Sequence, residues 1–157
     1  MKKVRMGMVG GGAGAFIGAI HRAAAAMDGQ IELVCGALSS DPERARYSGL
    51  DLGIDPSRCY TSYQEMFATE AALPEEQRMQ FVSIVTPNHM HFPVAKQALE
   101  AGFHVLSDKP ATLNLREALE LKTVVESNNC LYGLTHTYTG YPLIKEARHL
   151  IGSGQLG

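Results

Sequence analysis

Gly10-Gly11-Gly12, followed by Gly14 and Gly18, interrupt the chain between an apolar run at Val4 to Val9 and a helical pattern beginning near Phe16, and few folds accept that arrangement. Glycines in series weaken a helix or strand interior but suit backbone conformations that other residues resist, so the run reads as a turn. A strand that enters a glycine turn and leaves as a helix brings bare backbone close to a ligand. The helix start behind it offers unpaired N–H groups and the positive end of a dipole. That pattern is a phosphate cradle at the head of a βαβ unit, with a turn chosen only for packing as the plainer alternative. Gly10 and Gly12 match the first two glycines of a GxGxxG pattern and Ala15 stands at the third, in a turn longer than the minimum. Phe16 and Ile17, at the helix start, complete the candidate contacts there.

Beyond the turn, short apolar runs alternate with helical patterns, which predicts an α/β fold: a doubly wound, mostly parallel sheet with helices on both faces. Expected strands are Val4 to Val9, Ile31 to Leu38, Phe81 to Val85, His104 to Ser107 and Leu131 to Thr135, with a weakly marked one at Arg58 to Tyr60. Expected helices run from Phe16 to Met27, from Pro42 behind an Asp41 cap to about Ser48, and from a Thr61 or Ser62 cap through Phe67. Three more run from about Pro93 to Ala101, from an Asn114 cap to about Ser127, and from Pro142 to about Ile151. Lys2, Lys3 and Arg5 ahead of Met6 to Ile20 imitate a secretory leader, but the glycines and the His21-Arg22 pair break the resemblance.

In open α/β sheets ligands bind outside the carboxyl ends of the strands, so the residues that follow each strand are the candidates for chemistry. After the second strand come Ser39 and Ser40, where a dinucleotide site usually carries an acidic residue for the ribose hydroxyls. Serines accept a 2′-phosphate that a carboxylate would repel, and Arg44 in the next helix can neutralise it, so NADP is permitted beside NAD. The alternative is that both serines serve only the helix start. Thr86-Pro87-Asn88-His89-Met90-His91 is a second polar loop at a strand end; Thr86, Pro87, Asn88 and His91 are candidate cofactor contacts, with capping by Asn88 as the plainer reading. His89 and His91 lack a third ligand at metal-site spacing, so no metal is expected. Ser107-Asp108-Lys109-Pro110 follows another strand; there a lysine beside a cationic ring would be poised for proton transfer, with Asp108 offsetting that effect, and a solvated surface charge is the plainer reading.

Taken together, the glycine turn with His21 after it, TPNHMH at 86–91, EAGFHVLSDKP at 100–110 and GLTHTYTGYP at 133–142 resemble the Gfo/Idh/MocA family of oxidoreductases, across essentially the whole chain. The resemblance implies an amino-terminal Rossmann domain that binds NAD or NADP, followed by a second α/β domain that carries much of the substrate site and the oligomer interface. On that reading residues 1–138 are the Rossmann domain and 139–157 a connecting helix toward a second domain not present in the 157 residues. The family's Glu-Lys-Pro hallmark appears as Asp108-Lys109-Pro110, which implies that Lys109 lies beside the nicotinamide and the reacting hydroxyl of a sugar, cyclitol or polyol. Two departures stand out: the longer glycine turn, and Ser39 where many members are acidic. A non-catalytic NAD(P)-binding or regulatory module is the competing expectation.

Charge and cysteine content narrow the partners. Fourteen Lys and Arg against sixteen Asp and Glu leave a net charge of -2 without a dense basic run, so nucleic acid is not an expected partner. No stretch is apolar for long enough to predict a membrane span. Cys35, Cys59 and Cys130 form an odd set without metal-ligand spacing, which suits a reducing cytoplasm.

Overall fold

The computed structural model describes residues 2–156. A five-stranded sheet is built from β1 (Val4–Gly10), β2 (Ile31–Ala37), β3 (Phe81–Val85), β4 (His104–Ser107) and β5 (Tyr132–Leu134). Its order is β2-β1-β3-β4-β5 with every pairing parallel. Six helices connect and follow the strands: α1 (Phe16–Ala26), α2 (Pro42–Asp51), α3 (Tyr63–Ala72), α4 (His91–Glu100), α5 (Leu115–Asn128) and α6 (Pro142–Gly152).

Parallel strands are covered on both faces, which is why they read as continuous apolar runs. One face of this sheet packs Val82, Ile84 and Val105 against Phe67 of α3, Val94 and Leu99 of α4 and Leu121 of α5. The other packs Met6, Met8 and Val85 against Ile17 and Ala25 of α1 and against Leu52 and Ile54 after α2. The doubly wound arrangement expected from the alternation is the one observed. From β1 the chain winds outward to β2, then crosses to β3 on the other side of β1, so the two halves diverge at the carboxyl ends of β1 and β3 and leave a crevice.

The strand expected at Arg58 to Tyr60 shrinks to a single bridge between Gly36 and Cys59. Pro56, which has no N–H to give, opens a 3-10 turn at Pro56–Arg58 capped by Asp55, and this uses the residues that a strand would need. Arg58 and Tyr60 instead anchor Glu70, a fully buried carboxylate of α3 that accepts from Arg58 Nε at 2.9 Å, from Tyr60 Oη at 2.9 Å and from the Met79 N–H at 2.9 Å. Two helices extend beyond expectation. α2 continues to Asp51, and α4 starts at His91 because Pro93 falls in the first turn, where N–H groups have no helical partner.

Candidate functional site

The turn after β1 is braced by close backbone packing. Gly10 (φ +81) and Gly11 (φ +76) adopt conformations that favour glycine, and a Cβ at Gly10 would sit 2.9 Å from the Val85 carbonyl oxygen of β3. Gly18, one turn into α1, lies directly against Gly11, so a side chain there would collide with the turn. The third glycine of the fingerprint, the one that lets helix and strand pack closely, is therefore Gly18 and not the Ala15 position expected from spacing. Gly12 donates its N–H to the Leu38 carbonyl at 3.0 Å, and its missing Cβ would stand 2.7 Å from both that oxygen and Ser48 Oγ. Ser48, buried in α2, also accepts the Ala13 N–H at 2.9 Å, while Arg22 Nη1 of α1 donates to the Gly11 carbonyl at 2.7 Å. Neither brace was legible in the sequence, because each joins residues that only the fold brings together.

α1 begins without a side-chain cap. Asp41, Ser62 and Asn114 accept first-turn N–H groups of α2, α3 and α5, but Ala15 has nothing to offer the first turn of α1. The N–H groups of Phe16, Ile17 and Gly18 are left for an external acceptor beside the turn. Phe16 is 81% exposed, whereas the Ile17 side chain packs into the core, so Ile17 offers its backbone only.

A cleft of about 600 Å³ opens over the carboxyl ends of β1, β2 and β3. Gly10 and Gly11, then Ser39 and Ser40, then Thr86 and Pro87 line it, as expected from the strand-end rule. His89 and Met90, part of the expected polar loop but not among its candidate contacts, line it as well, and so do Thr61 to Gln64, which no strand-end rule points to. Thr61 and Ser62 had been read only as caps; their place follows from Cys59 pairing with β2, which sets the next residues at the cleft's outer edge. Thr86 lines the cleft, but its Oγ1 is buried, with no hydrogen-bond partner among the described residues. A smaller hollow of about 240 Å³ lies on the other side of the turn, where Arg44 meets Ser39 and Gly12 to Ala15. Ser39 Oγ accepts the Asp41 N–H at 3.1 Å, so Asp41, not either serine, caps α2.

Two expected contacts take other places. His91 is buried, with Nδ1 2.6 Å from the Pro110 carbonyl and Nε2 2.9 Å from the Thr86 carbonyl. Its ring ties the loops after β3 and β4 together and leaves no nitrogen for a ligand. Asn88 is exposed beside the cleft and caps nothing; it opens a short 3-10 turn, Asn88–Met90, ahead of α4. Asp108 and Lys109 stand one strand over, past the end of β4, with a cis peptide between Lys109 and Pro110. Asp108 accepts from Thr135 Oγ1 at 2.8 Å, and His21 Nε2 lies 4.0 Å from the same oxygen. Burial holds the His21 imidazole below the usual histidine range, and the Asp108 charge partly opposes it. The Lys109 side chain is exposed and makes no ion pair among the described residues.

The glycine turn, the open α1 amides and the polar strand ends together suit a dinucleotide stretched across the switch point. Residues 4–136 match the model of an oxidoreductase family described as having an NAD-binding Rossmann fold, GFO_IDH_MocA. The chain belongs to the Gfo/Idh/MocA oxidoreductase family. Within that family it is similar to an inositol dehydrogenase homolog from Azotobacter vinelandii, whose crystal structure is a complex with NAD+; the two are 45% identical over 99% of this chain and 40% of that one, with a TM-score of 0.92. A crystal structure of an oxidoreductase from Sinorhizobium meliloti is 50% identical over all of this chain and 43% of that one, with a TM-score of 0.88. An uncharacterised oxidoreductase of Bacillus subtilis, YfiI, is 38% identical over 99% of this chain and 39% of its own length. This chain thus spans about two fifths of each of these Gfo/Idh/MocA relatives, the part that holds the NAD-binding Rossmann fold. Among the described residues no helix is long and apolar enough to cross a membrane.

Proposed function

We propose that this chain is the cofactor domain of a dehydrogenase that oxidises a secondary alcohol of a sugar, cyclitol or related polyol. The observation that carries the proposal is the placement of Lys109: an exposed amine, without an ion-pair partner among the described residues, at the carboxyl end of β4, one strand over from β3 and the cleft that Thr86 and Pro87 line. Similarity to the Azotobacter vinelandii homolog, also described in complex with NADH and myo-inositol, supports the substrate class. Gly10, Gly11 and the amides of Phe16 to Gly18 would hold the pyrophosphate, and Thr86 and Pro87 the ribose beyond it. The nicotinamide, when bound, supplies the hydride acceptor. Lys109 Nζ, as the neutral amine, would take the hydroxyl proton as the hydride leaves the carbon, and, as the ammonium so formed, would return it in the reverse reaction. Residues 139–157, among them the largely exposed α6, would lead to a second domain that completes the substrate site and any oligomer interface.

The adenosine end reads as open to NADP as well as NAD. Ser39 and Ser40 stand at the end of β2 where a carboxylate would favour NAD, and the Arg44 guanidinium, free of side-chain partners among the described residues, faces a hollow shared with Ser39. The decisive test of the catalytic reading uses the chain continued into its second domain. Lys109→Ala should lower turnover by about 10²-fold or more while cofactor affinity changes far less, and Lys109→Arg should not restore it, since a guanidinium keeps its proton near neutrality. Normal turnover in either variant would reduce Lys109 to a surface charge.

A further inference from the structure

A line of four polar side chains, drawn from β3, α1 and the residues just past β4 and β5, ends at the residue before Lys109. Ser83 is fully buried in the middle of β3, and its Oγ lies 2.9 Å from His21 Nδ1. The opposite ring nitrogen, Nε2, is 4.0 Å from Asp108 Oδ1, and the same oxygen accepts from Thr135 Oγ1 at 2.8 Å. Asp108 also extends the sheet, its N–H donating to the Ile84 carbonyl at 2.9 Å. Packing alone does not call for this line. An apolar pair at positions 21 and 83 would fill the same space without taking an imidazole and a hydroxyl out of water, and such exchanges are close to neutral for stability.

We propose that His21 is a positioning residue for Lys109, acting through the Asp108 carboxylate. The inference rests on the reading of Lys109 as the group beside the nicotinamide. Thr135, just past β5, holds the Asp108 carboxylate by a hydrogen bond, the Asp108 N–H is tied to β3, and the His21 ring stands against the same oxygen from α1, so the carboxylate and the peptide that follows it are confined on three sides. Lys109 then projects from a fixed point instead of a loose loop, which is the condition for a proton-transfer group to stay near its target. Ser83 sets the ring plane of His21. Asp108 is the charged group that faces the imidazole, because Arg22, the neighbouring cation of α1, is engaged with the Gly11 carbonyl.

The test is nuclear magnetic resonance on the labelled chain saturated with NADH. It reads the Overhauser contact between the Lys109 side chain and the nicotinamide ring, together with the order parameter of the Lys109 amide. In the unaltered chain the contact is expected, with an order parameter of about 0.85. His21→Leu should abolish the contact and drop the order parameter toward about 0.6, while NADH affinity stays within about twofold. His21→Gln, which keeps an N–H toward Asp108, should restore both. If His21→Leu does not fold, Thr135→Val removes the other hold on Asp108 and should show the same losses. A contact and order parameter that persist in the folded variant overturn the inference and leave the Lys109 reading standing. Loss of NADH binding in step with the contact also overturns it, since His21 would then serve only the fold. Absence of the contact in the unaltered chain overturns the Lys109 reading and this inference together.

Discussion

Gly12 is a glycine for a different reason from the one its motif suggests. The pattern assigns it to close approach of a pyrophosphate, but the missing Cβ points at the Leu38 carbonyl and Ser48 Oγ, so the turn's own packing already requires it. Gly12→Ala should therefore destabilise the ligand-free chain by about 1–3 kcal/mol in urea unfolding. Gly14, with a φ of +82 but nothing within 4 Å, should lose only the roughly 1 kcal/mol of a left-handed residue on replacement by Ala. A Gly12→Ala loss no larger than that of Gly14→Ala contradicts the packing account. Arg44 tests the other end of the site. Arg44→Ala should weaken NADPH binding about tenfold or more and leave NADH within about twofold, because only a 2′-phosphate needs the guanidinium. Equal losses for both cofactors in calorimetry would assign Arg44 to the turn instead. Ser39 and Thr86 could be placed at the cleft because strand ends mark them, whereas Lys109 was singled out chiefly by the resemblance of Asp108-Lys109-Pro110 to a family motif. Ser48, Arg22, Ser83 and the task of His91 were not, because each depends on a partner distant in sequence and joined only by the fold.

Three helix starts obey local capping rules; α1, α4 and α6 lack a side-chain cap, and of these α1 follows the glycine turn. Asp41 and Asn114 cap α2 and α5 as their residue types predict, and Ser62 settles the choice between two candidates for α3. Glu117 reaches back over the α5 cap, accepting the Leu113 N–H and the Asn114 side-chain N–H, each at 3.0 Å. Ala15 has the extended backbone of a cap residue (φ -90, ψ 122) and no side-chain acceptor. Ala15→Asp should supply one, stabilising the ligand-free chain by about 1 kcal/mol in thermal unfolding. The same carboxylate would occupy the place of the pyrophosphate and repel it, so NADH affinity should fall at least about tenfold. Stabilisation without loss of affinity would move the phosphate away from α1. Where an element failed to form, at Arg58 to Tyr60, the Pro56–Arg58 turn takes up its first residue, and the Arg58 and Tyr60 side chains are held by Glu70.

At the scale of the whole molecule, the alternation of apolar runs and helical patterns was enough to read the parallel, doubly wound sheet, because covering both faces leaves the same signature in every strand. Where the strands lie relative to one another was not readable residue by residue, and the cleft depends on it: Thr61 to Gln64 reach the site only because Cys59 takes the outer place beside β2. The fold also carries a hollow of about 530 Å³ at the amino ends of the strands, lined by Lys2, Arg5, Arg78 and His104 among others, so the carboxyl-end cleft has a rival for an anionic ligand. Mapping amide chemical shifts of the labelled chain during an NADH titration tests the central claim most directly. The account predicts saturable shifts concentrated at Gly10 to Gly18, Ser39 and Ser40, Thr86 to His89 and Lys109. Shifts confined to the hollow around Arg5, Arg78 and His104, or none at all in a folded chain, would contradict it.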